Sequence, residues 1–205
     1  SCSQQHQTRI LAPALEGLAK FAPLVNVEHY GLLMKALREL VDEEETAVTT
    51  KLHALVAVAC LAQKDTLLDA SEWRVDLSHF HEVLFRCCGT ALNPPTVEDI
   101  SGKAEEEKDE ETSDTASQGS TSTAGTLSSV AFAQSMANHR QTQRSLEKEW
   151  GYRSGLCIRA IDLLILSQKF VPVVRVIAFC RRLILLGGAA APNVNMALMS
   201  LVHRL

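Results

Sequence analysis

The stretch LEGLAKFAPLVNVEHYGLLMKALRELV, residues 15–41, decides the fold class. Leu15, Leu18 and Ala22 fall on one side of a helix, with Leu11 one turn earlier. Pro23 closes that helix, because proline lacks an amide hydrogen and drives the residue before it out of helical angles. Asn26 is placed to cap the next helix, and Glu28 stands in its first turn, where the helix dipole favours an anion. Tyr30, Leu33, Met34, Leu37, Leu40 and Val41 then recur at helical steps. Two amphipathic helices across a Pro-Leu-Val-Asn connection make an antiparallel hairpin, which hides its apolar side only against more helices.

The same periodicity extends outward. The first helix is predicted over 8–22, with Pro13 in its first turn and residues 1–7 frayed, and the second over 27–44. An acidic run, Asp42 to Glu45, closes the second as a solvated turn. A third helix over 47–63 carries Val48, Leu52, Leu55, Val56, Ala59 and Cys60, with Ala57, Val58, Leu61 and Ala62 on its other sides. That pattern implies burial among neighbours. Residues 64–75 read as a connection containing Trp73. Asp76 is expected to cap a fourth helix over 77–91, with Phe80, Val83, Leu84, Cys87 and Cys88 inward.

Pro94-Pro95 ends this half. Residues 96–126, acidic from Glu105 to Glu111 and then rich in Ser, Thr and Gly, have the composition of a disordered loop, with only weak helix expected over 127–147. A fifth helix over 154–168 points Leu156, Cys157, Ala160, Ile161, Leu164 and Ile165 inward. Pro172 is expected at the first position of a sixth, which stops at Gly187-Gly188. Pro192-Asn193 caps a seventh carrying Val194, Ala197, Leu198, Leu201, Val202 and Leu205.

The organisation expected is a first half of one helical domain over 8–92, a low-complexity insertion over 93–147, and its second half over 148–205. Helix pairs with short connections and no strand signal predict an all-α fold, its hairpins stacked as an irregular HEAT- or armadillo-like α-solenoid; no strict repeat is visible, and an irregular helical bundle is the alternative. The chain has 205 residues, 46% apolar but only 5% aromatic, which suits helix packing and allows a substantial core. Its longest apolar run, Val171–Leu186, is broken by Arg175, Arg181 and Arg182 and is too short for a membrane span. No initiator Met opens it, and the last apolar stripe runs to Leu205, so it reads as part of a longer protein. Six cysteines without C-x-x-C spacing suit a reducing, intracellular compartment.

Charge is segregated. Residues 1–92 hold 8 basic and 12 acidic groups, residues 93–138 hold 2 and 9, and residues 139–205 hold 10 and 3. The basic last third could face RNA or an acidic partner, and Arg175, Arg181 and Arg182 are the residues singled out for that contact. Positions 175 and 182 are seven apart and share a helix face. No catalytic set is framed by a nucleophile elbow or by isolated buried acids, so no enzyme, cofactor or small-molecule substrate is expected. His79, His81, Cys87 and Cys88 diverge around one helix and make no metal site; the histidines are expected at solvent or as caps. Glu16 and Lys20 are spaced as an i,i+4 ion pair.

Three stretches carry a resemblance: LEGLAKF with LVNVE at 15–28, VDLSHFHEVLF at 75–85, and VIAFCRRLILL at 176–186. They resemble the C-terminal domain of the nucleolar complex protein 3 family, among the CCAAT-binding-factor-like nucleolar complex proteins. His81 stands where that family's pattern has Tyr, and Arg181 where it has Lys, while residues 93–147 carry no likeness. The resemblance implies a non-enzymatic nucleolar scaffold in large ribosomal subunit biogenesis, with pre-ribosome maturation and intranuclear transport as its work. Implied partners are a second nucleolar complex protein in a heterodimer, the pre-ribosomal particle with its RNA, and chromatin during replication initiation. Residue chemistry alone also leaves open a cytoplasmic solenoid adaptor of the transport or coat type.

Overall fold

The computed structural model describes residues 2–65, 76–94, 126–168, 171–188, 190 and 192–205, and every element among them is helical. In chain order the helices are α1 (Cys2–Phe21), α2 (Tyr30–Asp42), α3 (Val48–Asp65), α4 (Ser78–Leu92), α5 (Thr126–Ile161), α6 (Val173–Gly187) and α7 (Pro192–Arg204). The 3₁₀ turns Ala22–Leu24 and Val27–His29 join α1 to α2, and a π-helical turn, Asp162–Leu166, follows α5. The chain divides into two units: residues 1–93 with 151–205, and residues 94–150.

In the first unit α3 is the hub. On it pack α1, α2, α4, the Ala22–Leu24 turn and the π turn. From Leu52 to Ala62 every side chain is buried except half-buried Cys60. A helix apolar on all sides is stable in water only when neighbours cover all of them. Each fully buried leucine here, Leu52, Leu55 and Leu61, contributes about 1.5–3 kcal/mol. The neighbours turn in the residues that periodicity selected: Leu15, Tyr30, Leu37 and Val41, then Phe80, Val83, Leu84, Cys87 and Cys88. Leu156, Cys157, Ala160, Ile161, Leu164 and Ile165 are also buried. Helices from either side of residues 95–125 touch directly, with Cys157 Sγ 3.6 Å from Cys88 Sγ. Both thiols are free, and the hydrogen bond between them and burial push the Cys157 pKa well up, which keeps it an inert filler. Buried His53 answers its polarity through Nε2, 2.9 Å from the Tyr152 hydroxyl.

The departures from expectation gather at helix ends. α1 starts at Cys2 instead of residue 8, so Pro13 sits in its interior, where it cannot donate to the Arg9 carbonyl. The second helix tightens into a 3₁₀ turn before Tyr30 and ends at Asp42. Asn26 therefore heads that turn: its Oδ1 accepts from the Glu28 amide at 3.5 Å and its carbonyl from the His29 amide at 3.0 Å. Asp76 acts one residue further out than expected, accepting from the Ser78 amide at 2.9 Å while Leu77 holds the cap position. That bond holds its carboxyl below the usual range. Pro172 is the cap of α6, not its first residue, because its ψ of 132° is extended. Asn193 is the second residue of α7, which begins at Pro192. Glu16 and Lys20 form no ion pair; the Lys20 ammonium lies 5.9 Å over the Phe21 ring.

The fifth helix departs most. It is continuous from Thr126, and its α-helical part ends at Ile161, where the π turn takes over. In the second unit, residues 126–150 belong to α5, and Gln143 donates to the Glu147 carboxylate one turn on at 3.3 Å. Gln, Arg, Glu and Lys are good helix formers, and among the described side chains of this polar stretch Leu146 and Trp150, one turn apart, are buried. The readings placed on Trp73 and on the acidic Ser/Thr-rich segment fall at residues 66–75 and 95–125, outside the described residues.

Candidate functional site

The three arginines singled out from sequence lie on α6, and the fold treats them differently. The inward side of α6 buries Phe179, Leu183 and Gly187, and the Phe179 ring meets Phe85 of α4 edge-on at 5.4 Å. Arg175 shares that side. Its Nη1 donates to the Ser78 hydroxyl at 3.3 Å and to His81 Nδ1 at 2.8 Å. Guanidinium only donates, so Nδ1 is the acceptor and the ring proton rests on Nε2. From there it is donated to the Leu164 carbonyl, 3.1 Å away in the π turn. Burial lowers the His81 pKa and the Arg175 charge lowers it further, while the Leu164 bond and Asp76 oppose them. A neutral imidazole thus latches α6, α4 and the π turn together.

Arg182, seven residues on, also faces α4. Its guanidinium lies 4.3 Å over the Phe85 ring, and a side chain at Gly89 would begin 2.5 Å from its Nη2. Glycine at position 89 gives the cation room beside the helix backbone. Shared orientation of 175 and 182 was legible in their spacing; that the shared side is the packed one was not.

His81 is only 4% exposed, which corrects the expectation of a solvent or capping role. His79 is half-buried with Nε2 2.7 Å from Asp42 Oδ1, linking α4 to the end of α2. Among the described residues no three His, Cys, Asp or Glu side chains converge as metal ligands would. Between α4 and α6 lies a groove of about 470 Å³, lined by Phe85, Ala178 and Phe179, with Ser78, His79, His81, Glu82 and Arg175 as its polar lining.

The outward side of α6 is the feature sequence reasoning missed. Val174 is 80% exposed, Leu185 74%, Val173 72%, Ile177 59% and Ile184 51%. At about 100° per residue these positions fall within an arc of roughly 120°, with Arg181 inside it. The signal was present: sorted by helical angle, the run from Val173 to Leu186 has two apolar sides, one more than a helix with neighbours on one side can bury. Beyond the stripe, α7 packs against α6 and exposes Met196 and Met199; the Met199 methyl group lies 3.3 Å from where a side chain at Gly187 would begin.

Charge on this hairpin is one-signed. Residues 171–205 contain Arg175, Arg181, Arg182, His203 and Arg204 and no Asp or Glu. Arg204 pairs with Asp162 across 2.9 Å, while Arg175 and Arg182 are engaged on α4. Arg181, exposed within the apolar stripe, has no ion pair or hydrogen bond among the described residues.

No family model matches the chain, and neither a curated protein nor a solved structure is found similar to it.

Proposed function

We propose that this chain is a non-enzymatic helical scaffold that works by surface recognition, stacking its hairpins in the manner of an irregular HEAT- or armadillo-like solenoid. The observation that carries the reading is the apolar stripe of α6, five large aliphatic side chains more than half exposed on a helix whose other side is firmly packed. Large contiguous apolar surface is costly to leave in water and marks a docking face. The polar groups nearby are spent on holding helices together: Arg175 on His81, His81 on the Leu164 carbonyl, and His79 on Asp42.

The biological setting comes from the resemblance of residues 15–28, 75–85 and 176–186 to the nucleolar complex protein 3 family. On that basis the scaffold belongs in the nucleolus, pairs with a second nucleolar complex protein, and helps mature and move large-subunit precursors, with a chromatin role in replication initiation. Arg181 is the residue of the three best placed for RNA or partner contact. A pull-down from nucleolar extract tests this: the expected recovery is a second nucleolar complex protein together with precursor ribosomal RNA. Recovery of neither, or uniformly cytoplasmic fluorescence of the tagged full-length protein, would overturn it in favour of an adaptor of the transport or coat type.

A further inference from the structure

Resting on the scaffold reading, we infer that the α6 stripe seats one amphipathic helix from a partner protein, and that this helix carries a carboxylate opposite Arg181. The stripe's dimensions fit such an occupant. From Val173 to Leu185 it spans about 18 Å of helix axis, or a little over three turns, which is the contact length of two helices packed side by side. Val173, Ile177, Arg181 and Leu185 recur at four-residue steps and are all exposed, a ridge of the kind that a second helix's groove accepts. Ala178 links the stripe to the α4–α6 groove, whose apolar wall of Phe85 and Phe179 can receive an anchoring side chain. Exposed Met196 and Met199, soft and adaptable, stand on the adjoining α7.

Charge selects the occupant. A guanidinium covered by an apolar helix would lose its water without compensation, so the covering helix must bring an acceptor, and a carboxylate is the one that matches it best. The hairpin cannot supply that carboxylate, since residues 171–205 hold no Asp or Glu. The same fact argues against a second copy of the stripe as occupant, because two Arg181 side chains would meet with no anion between them. It argues against RNA as well: a phosphate backbone gains nothing from five aliphatic side chains, and Arg175 and Arg182 are already engaged.

The test uses the whole chain and a yeast-displayed library of 18-residue helices, apolar at i, i+4, i+7 and i+11 and randomised elsewhere. Enriched helices are expected to carry Asp or Glu near the middle of their apolar face. Their binding should weaken about tenfold or more with Arg181→Glu or Ile177→Asp, each read beside a circular dichroism melt that stays unchanged. A charge-reversed helix, Lys for the selected acid, should recover binding to Arg181→Glu but not to the original chain. No enrichment, enrichment without an acid, or indifference to Ile177→Asp would overturn the inference. So would dimerisation of the chain abolished by Ile177→Asp, which would make the occupant a second copy. Fluorescence anisotropy with a 20-nucleotide RNA, bound through Arg181 and unaffected by Ile177→Asp, would overturn it in favour of nucleic acid. If the nucleolar pull-down succeeds equally with Ile177→Asp, the scaffold reading stands and this surface is wrong. If the library selects acidic helices and the pull-down fails, the surface stands and the nucleolar setting is wrong.

Discussion

Two helices of this chain, α3 and α6, are comparably apolar, yet the fold spends them in opposite ways. α3 is rich in small residues, Ala54, Ala57, Ala59 and Ala62, which let neighbours approach closely on every side, and all four are buried. α6 offers bulk instead: Phe179 and Leu183 go inward, while Val173, Val174, Ile177, Ile184 and Leu185 stay out. Apolar composition therefore does not by itself bury a helix. Small side chains distributed around it invite company on all faces; β-branched ones gathered on one side make a ridge that waits for a partner.

The sharpest way to break that contrast lies within α6 itself. Phe179→Ala should cost about 3–5 kcal/mol in urea unfolding, since it empties the contact with Phe85. Ile177→Ala, two residues away on the outward side, should cost less than about 0.5 kcal/mol. Similar losses for the two would mean that the stripe is packed in solution and that the two-sided description of α6 fails. In α3, Leu55→Ala should cost about 2–5 kcal/mol because the fully buried site cannot collapse around the missing methyls. A value near zero would show that α3 is not the hub.

How much of this could be read from the chain follows the same division. Helical sides were legible because burial repeats with the helix: Leu37 and Val41, Phe80 and Leu84, Leu198 and Leu201 were all selected by spacing and all are buried. Helix ends were less so: the tightening at Val27–His29 turns on local bonds to Asn26 that the apolar period does not report, and the π turn at Asp162–Leu166 packs on distant α3. Ser167 closes that π turn by donating its amide and hydroxyl to the Asp162 carbonyl at 3.0 and 2.9 Å. Leu164 then offers its carbonyl to a histidine 83 positions earlier in the chain. No local pattern encodes a bond of that separation. The candidate site was half visible: the arginines were found, but spacing could not say that two of them are latches and that Arg181 makes no bond among the described residues.

The latch gives a pH-dependent test of the packed side. The folded chain holds the His81 pKa below the value near 6.5 of a free imidazole, so the unfolded chain takes up its proton first. The stabilisation is complete above about pH 6.5–7 and declines as pH falls through 6.5 toward the folded value, where it is lost. His53, also lowered chiefly by burial, acts in the same direction. Removing the latch with His81→Ala should cost about 1–3 kcal/mol at pH 7.5, by stranding the Leu164 carbonyl and the Arg175 donor. The loss of melting temperature between pH 7.5 and 5.5 should shrink in that variant, because an imidazole that resists protonation in the folded chain is gone. An unchanged pH slope would mean that His81 does not titrate with unfolding.

The smallest effect separates the two neighbouring arginines. Arg182→Ala removes a guanidinium stacked 4.3 Å over Phe85 and should destabilise by about 0.5–2 kcal/mol, in the range for a partly covered cation–π contact. Arg181→Ala should leave unfolding within about 0.5 kcal/mol of the parent, because nothing among the described residues holds it. Adjacent residues of one type, 100° apart on the helix, would then differ because one faces α4 and the other faces outward. Should Arg181→Ala prove as costly as Arg182→Ala, the outward arginine is part of the fold and the stripe loses its free charge. Should both prove neutral, the Phe85 stack contributes nothing, and the hold of α6 on α4 comes from other contacts such as Phe179 and the His81 latch.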